Sequence, residues 1–243
     1  MPKPTSLPLP RSLRLDLLRA VAMLWMAGFH LCFDLNHYGL MTPQNFYTDA
    51  FWTGQRTGIV SLFLFTAGAA QSVAVGQPAA RFWRRWAQIA GCALLVSAGS
   101  WWMFPHSWIS FGVLHGVAVM LLILRGVERL PMGALLALAA AAWLAPQLGS
   151  HAWFDQRATW WIGLVTHKPR TEDFVPVLPW LGVMLLGLVA GRWLQARWPQ
   201  MWQGPVPRGT GPLLKLSRWP LSFYMLHQPI LIGLLTAFTS LRN

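Results

Sequence analysis

A polytopic bundle of membrane-spanning helices is the fold this sequence predicts: all-α, about seven transmembrane helices, N-terminus inside and C-terminus outside. Three observations predict it. The chain of 243 residues is 55% hydrophobic, with a mean hydropathy of +0.42. Only 11% of its residues are charged, against about 25% in an average soluble protein. Its 16 Trp residues fit repeated anchoring at a bilayer interface, where an amphipathic indole is favoured.

A helical span needs roughly 20 apolar residues. Stretches of that kind lie at 15–36, 57–76, 86–104, 110–125, 131–148, 176–195 and 219–239. Residues 1–12 are Pro-rich and polar and read as a cytosolic tail, leaving 13–243 as one membrane domain. The segments 38–56 and 149–175 read as long loops on the outer side, and long loops in a compact protein are often functional. The Pro/Gly-rich stretch 199–212 reads as a cytosolic linker. Cys32 and Cys92 fall in predicted spans at unrelated positions. They read as small packing residues rather than a disulfide framework or a metal motif.

The formal charge of +12 would point to nucleic acid in a soluble chain. Its distribution points elsewhere. Lys3, Arg11, Arg14 and Arg19 precede or open the first span. Arg81, Arg84, Arg85, Arg125, Arg129, Arg192, Arg197, Arg208, Lys215 and Arg218 lie in the loops after spans two, four and six. Arg56, Arg157, Lys168, Arg170 and Arg242 are the remainder. Cytoplasmic loops are enriched in Lys and Arg, so this alternation sets the N-terminus inside. No nucleic-acid motif accompanies the charge.

The first span carries the chemistry. At about 100° per residue, Asp16, Arg19, His30, Asp34 and His37 share an arc of roughly 60°. The other faces are Leu, Val, Met, Trp and Phe. Ionisable groups at membrane depth are costly, so they face a protein-lined interior and mark function. Arg19 and His30 are separated by about 16 Å along the axis.

The segment Leu15-Asp16-Leu17-Leu18-Arg19-Ala20, followed after ten residues by His30, resembles the opening of the transmembrane acyltransferase superfamily, with Ala20 where Gly is usual. Phe29–Asn36, Phe111–Gly116, Leu178–Gly187 and Leu221–Ile230 are similar, in that order, to blocks of bacterial members of the heparan-α-glucosaminide N-acetyltransferase catalytic-domain family. The resemblance implies an integral protein of the bacterial inner membrane. It implies transfer of an acyl group, acetyl above all, from cytosolic acyl-CoA to a hydroxyl or amine of an envelope glycan or glycolipid. Acyl-CoA is then a co-substrate, and no metal is expected. Many relatives have ten or eleven spans. The animal lysosomal members carry a His in the loop after the first span, where Asp49 stands here.

Within that reading, His30 is the general base, because a neutral imidazole is suited to this role near pH 7. Asp34, one turn on, is placed to orient it, and His115 is a further catalytic candidate. Arg19, with Arg84, Arg85 and Arg218, is assigned to the CoA phosphates, which Arg binds through a bidentate fork. His37, Trp180, Tyr224, His227 and Gln228 are assigned to the acceptor. Asp16 pairs with Arg19 or serves the site, and Trp180 anchors at the interface or stacks on the acceptor. Two readings from other classes use the same stripe: a proton-coupled transporter or flippase, and a metal- or haem-binding membrane protein. The residues do not fix the acceptor, the acyl chain or the oligomeric state, a homodimer included.

Overall fold

The computed structural model of the protein describes residues 12–75 and 77–242. Its regular elements are α-helices joined by two short 3-10 turns, with one bridged residue pair, Phe111 and Phe174. The helices are α1 (Leu13–His37), α2 (Ala50–Ala74), α3 (Ala79–Met103), α4 (Val113–Val127) and α5 (Met132–Leu148), followed by α6 (Val177–Arg197), α7 (Pro199–Gln203), α8 (Gly211–Leu216) and α9 (Pro220–Arg242). The all-helical class expected from composition is therefore found. The polar tail expected at 1–12 lies outside the described residues except for Ser12. That residue belongs to the fold: its hydroxyl caps α1 at Leu15 and donates to the carbonyl of Trp202 at 2.7 Å.

Seven helices correspond to the seven expected spans, but they are not equivalent. Among the described residues, α1, α2, α6 and α9 are long and apolar enough to cross a membrane. Helix α3 has 25 residues, yet Arg81, Arg84, Arg85 and Gln88 make its first half polar. Helices α4 and α5 have 15 and 17 residues. At 1.5 Å per residue they extend only about 22 and 26 Å, short of a core about 30 Å thick. Helix α2 starts seven residues earlier than its apolar stretch, because Asp49 caps it by accepting from the Phe51 N–H at 2.8 Å.

Helix α6 lies between α2 and α5. Leu64, Met120, Leu124, Leu135, Met184, Leu185 and Leu188 are fully enclosed around it. The approach is close because glycines line the contacts. A Cβ on Gly68 would run into the carbonyl of Met184, and one on Gly187 into that of Phe65. Gly182 faces the Ala139 carbonyl in the same way on the α5 side, where a Cβ would stand at 2.8 Å. Small residues at such faces let backbones meet where packing, not water exclusion, holds helices together.

One end of the bundle gathers the start of α1, the end of α2, the start of α3, the end of α4 and the start of α9. The basic residues concentrate there. Stretch 199–212, expected to be a linker, is instead folded under this end as α7 and the approach to α8. Trp202 is buried, and the Arg14 guanidinium donates to the carbonyls of Met201 and Pro205. Helix α9 then returns beside α1, so the first and last helices are neighbours.

These contacts set an expectation for stability. Gly68→Ala and Gly187→Ala should each cost about 1–3 kcal/mol, the usual range for overpacking a tight contact. Gly28→Ala, where a Cβ meets nothing within 4 Å, should cost nothing. Thermal unfolding of purified protein measures this, and equal melting temperatures for all three variants would contradict the account of the α2–α6 contact.

Candidate active site

Helices α1 and α9 are joined by a seam of polar pairs. His30 Nδ1 lies 2.7 Å from His227 Nε2, with the ring planes 12° apart. One turn on, the Gln228 amide donates to both oxygens of Asp34, at 2.9 and 3.1 Å. Further along, the Tyr38 hydroxyl meets Thr236 Oγ1 at 2.7 Å. Asp34 is buried, and so is His227. The sequence assigned Asp34 to orient His30, but the structure turns its carboxylate to Gln228. Side chains at i and i+4 neighbour each other without having to bond, and here the longer reach across the helix interface wins.

The hydrogen-bond directions fix the tautomers. His227 Nδ1 faces the backbone carbonyls of Tyr224 and Phe223 at 2.8 and 3.1 Å. A carbonyl only accepts, so this nitrogen carries the proton. In the neutral pair His227 Nε2 is then an acceptor, and His30 Nδ1 must be the donor to it. The Nε2 of His30 is left with its lone pair. Phe29 and Phe223 pack on the two rings.

His115 has the opposite outcome. Ser97 Oγ donates to the carbonyl of Ile109 at 2.7 Å, so it accepts from His115 Nε2 at 3.0 Å. His115 Nδ1 accepts from the Gly112 N–H at 3.3 Å. Both ring nitrogens are used, and they staple the start of α4 to α3. The same turn is held by Asp173, whose carboxylate accepts from the Val113 N–H at 2.7 Å. Burial pushes the Asp173 carboxyl up, partly offset by that N–H and by Lys168 and Arg56. Lys168 is in turn pushed down by burial and by the Arg56 charge.

A cleft of about 1240 Å³ opens at the basic end. Arg19, Arg84, Arg85 and Arg218, the four residues assigned to phosphate, all line it. Arg19 is bonded to Asp16 at 2.8 Å, and Asp16 also acts electrostatically on Arg85. Arg81, Arg125, Gln71 and Trp219 line the same cleft and were not singled out from the sequence. The available signal was position: Arg81 and Arg125 sit at helix ends on the side where basic residues crowd. Apolar side chains, Phe63, Leu114, Val117 and Leu121 among them, also line the cleft, which reaches Tyr224. The Tyr224 ring is 6.0 Å from that of His227.

Beyond the histidine pair lies a smaller pocket of about 370 Å³. Phe33, Asn36 and His37 of α1 and residues 44–47 form it. Phe46 stacks on Trp52 at 4.0 Å and touches Phe29 and Phe33. The loop is set by Asn36, which exchanges two hydrogen bonds with the Gln44 backbone. Thus His37 lines this pocket, whereas Trp180 packs half-buried against the bundle core and lines neither cavity. No group of three or more His, Cys, Asp or Glu side chains converges as a metal site among the described residues.

The seam predicts a stability cost. Gln228→Ala removes the amide that donates to both oxygens of a buried carboxylate and should destabilise the protein by about 1–3 kcal/mol, the penalty for stranding a buried polar group. Chemical unfolding in detergent measures it. An unchanged midpoint would mean that Asp34 does not depend on α9.

The family model described as heparan-alpha-glucosaminide N-acetyltransferase, catalytic, matches residues 11–229, which takes in every residue of the seam up to Gln228, the large cleft and the far pocket. No curated protein and no solved structure matches significantly. The chain belongs to the heparan-alpha-glucosaminide N-acetyltransferase catalytic family, whose members are membrane acetyltransferases.

Proposed function

We propose that this protein moves an acetyl group from cytosolic acetyl-CoA to a hydroxyl or amine of a glycan or glycolipid on the opposite side of a bacterial inner membrane. The observation that carries this reading is the His30–His227 pair, standing between the basic cleft and the far pocket. The family supports acetyl transfer, and the cleft suits the donor: guanidinium groups for phosphates and apolar side chains for an acyl-bearing arm. A drug-sized ligand needs a pocket of about 300–1,000 Å³, and this cleft, of about 1240 Å³, admits something longer.

His30 Nε2 takes the proton from the acceptor's O–H or N–H as the new bond to the acetyl carbon forms. It returns that proton to the CoA sulfur as the carbon–sulfur bond breaks. His227 acts through His30. It fixes the Nδ1–H tautomer and shares the positive charge while His30 holds the extra proton, the part a carboxylate plays in a Ser-His-Asp arrangement. Asp34 and Gln228 lock the two helices in register. Arg19, Arg84, Arg85 and Arg218 hold the phosphates, and Tyr224 lines the deep end of the donor path. His37 belongs to the acceptor side. Residues 13–243 then act as one domain, with α1 and α9 as its two ends. A metal or haem reading has less support, because the two histidines bond each other directly at 2.7 Å.

Activity of purified protein with labelled acetyl-CoA and a panel of envelope glycans tests the proposal. His30→Ala should abolish transfer while the protein stays folded. His227→Phe should lower kcat by roughly 10²–10⁴-fold, the range expected when a base is lost or held in the wrong tautomer. Full activity of His30→Ala would overturn the base assignment.

The orientation is tested separately. The start of α1 lies at the basic end, so that end should face the cytoplasm. An export-dependent reporter fused after Asn243 should be active, and one inserted near Arg81 should be silent. The reverse pattern would put the donor cleft on the wrong side for cytosolic CoA.

A further inference from the structure

Glu128 is a charged side chain that the proposed chemistry does not use. It is only 2% exposed and caps the C-terminus of α4, where the helix dipole disfavours a negative charge. Two donors hold it there. The Arg125 guanidinium donates to Oε1 at 2.7 Å and the Gln71 amide donates to Oε2 at 2.9 Å. Glu128 itself does not line the cleft, but Arg125, Gln71 and Phe82 do. The Arg125 guanidinium also lies over the Phe82 ring, 5.3 Å from its centre. A long, flexible cation is thus fixed from behind by a carboxylate and from below by an aromatic face. Its remaining N–H groups have no partner among the described residues.

The position of this arginine in the cleft is informative. Phe82 precedes Arg85 by three residues on α3, about 4.5 Å nearer the mouth. Arg19 is bonded to Asp16 at 2.8 Å, and the Asp16 charge acts on Arg85, about one turn further along α3 than Phe82. The cleft therefore carries two levels of guanidinium groups, with Arg125 on the level further from His30. An elongated donor with its acyl end at His30 has its inner phosphates at the deeper level. Its terminal phosphate then reaches the outer one.

We propose that Arg125, held in place by Glu128 and Gln71, binds the terminal phosphate monoester of the donor, with Glu128 as the positioning residue. The proposal rests on the acyl-CoA reading above. Phosphate on a lipid headgroup shares the same chemistry, so the test separates the two.

Full-length protein in vesicles of neutral lipid is titrated calorimetrically with CoA and with dephospho-CoA, which lacks only that terminal phosphate. The wild type should bind CoA at least about tenfold more tightly, consistent with a charge-assisted contact. Arg125→Ala should reduce that preference to about twofold or less and leave dephospho-CoA affinity unchanged. Arg125→Lys should restore part of the preference, since an ammonium lacks the fork. Glu128→Gln should also lower the preference, and unchanged dephospho-CoA binding shows that the variant is folded. A purely structural Glu128 would shift both ligands together. Binding of both ligands with full preference in Arg125→Ala overturns this assignment alone. Binding of neither by the wild type overturns the acyl-CoA reading itself. An effect of Arg125→Ala seen only in vesicles of anionic lipid assigns the residue to headgroups and also overturns the proposal.

Discussion

A polar side chain inside an apolar helix bundle has no water to turn to, so the chain must supply its partner. The rest of this structure depends on that constraint at the contact between α1 and α9. His30 and Asp34 are carried on the first helix, and His227 and Gln228 nearly 200 residues later on the last. Each pair gives its members a polar partner across the interface, although Gln228 Oε1 stays buried without one. Together they bring the two ends of the chain into one site and fix the rotation of both helices. The interior of the bundle does the complementary work. Glycines on α2 and α6 allow backbone contact, and that close packing gives the α1–α9 seam a firm wall to lean on.

The seam also separates two unlike spaces. On one side is the large basic cleft, which ends at Tyr224. On the other is the small aromatic and amide-lined pocket bounded by His37. The His pair lies between them, joined to the cleft side through the Tyr224 and Phe223 carbonyls that orient His227.

Much of this was legible in the sequence, and the part that was not has a physical reason. The helical period alone puts Asp16, Arg19, His30, Asp34 and His37 on one face, and the alternation of basic loops gathers the arginines at one end. Both are one-helix or one-loop signals. What joins two helices is not written in either one, so Asp34 was matched to His30, its nearest partner on α1, rather than to Gln228. His115 illustrates the same limit: a histidine in an apolar helix looks available until Ser97 and Gly112 are seen to use both its nitrogens. Composition misled at 199–212, where Pro and Gly suggest a linker. Yet Pro is well placed at a helix start, and Trp202 supplies an apolar anchor, so the segment folds under α1. At α4, hydropathy counts apolar residues but does not see the turn at its start that Asp173 holds.

The most direct test of the account is the protonation pattern of the two histidines. Nitrogen-15 NMR of histidine-labelled protein near neutral pH, with signals assigned through single-histidine variants, reports which ring nitrogen carries the proton. The account predicts a proton on Nδ1 and a lone pair on Nε2 for both His30 and His227. A proton on His30 Nε2 would leave no base facing the substrates and would contradict it.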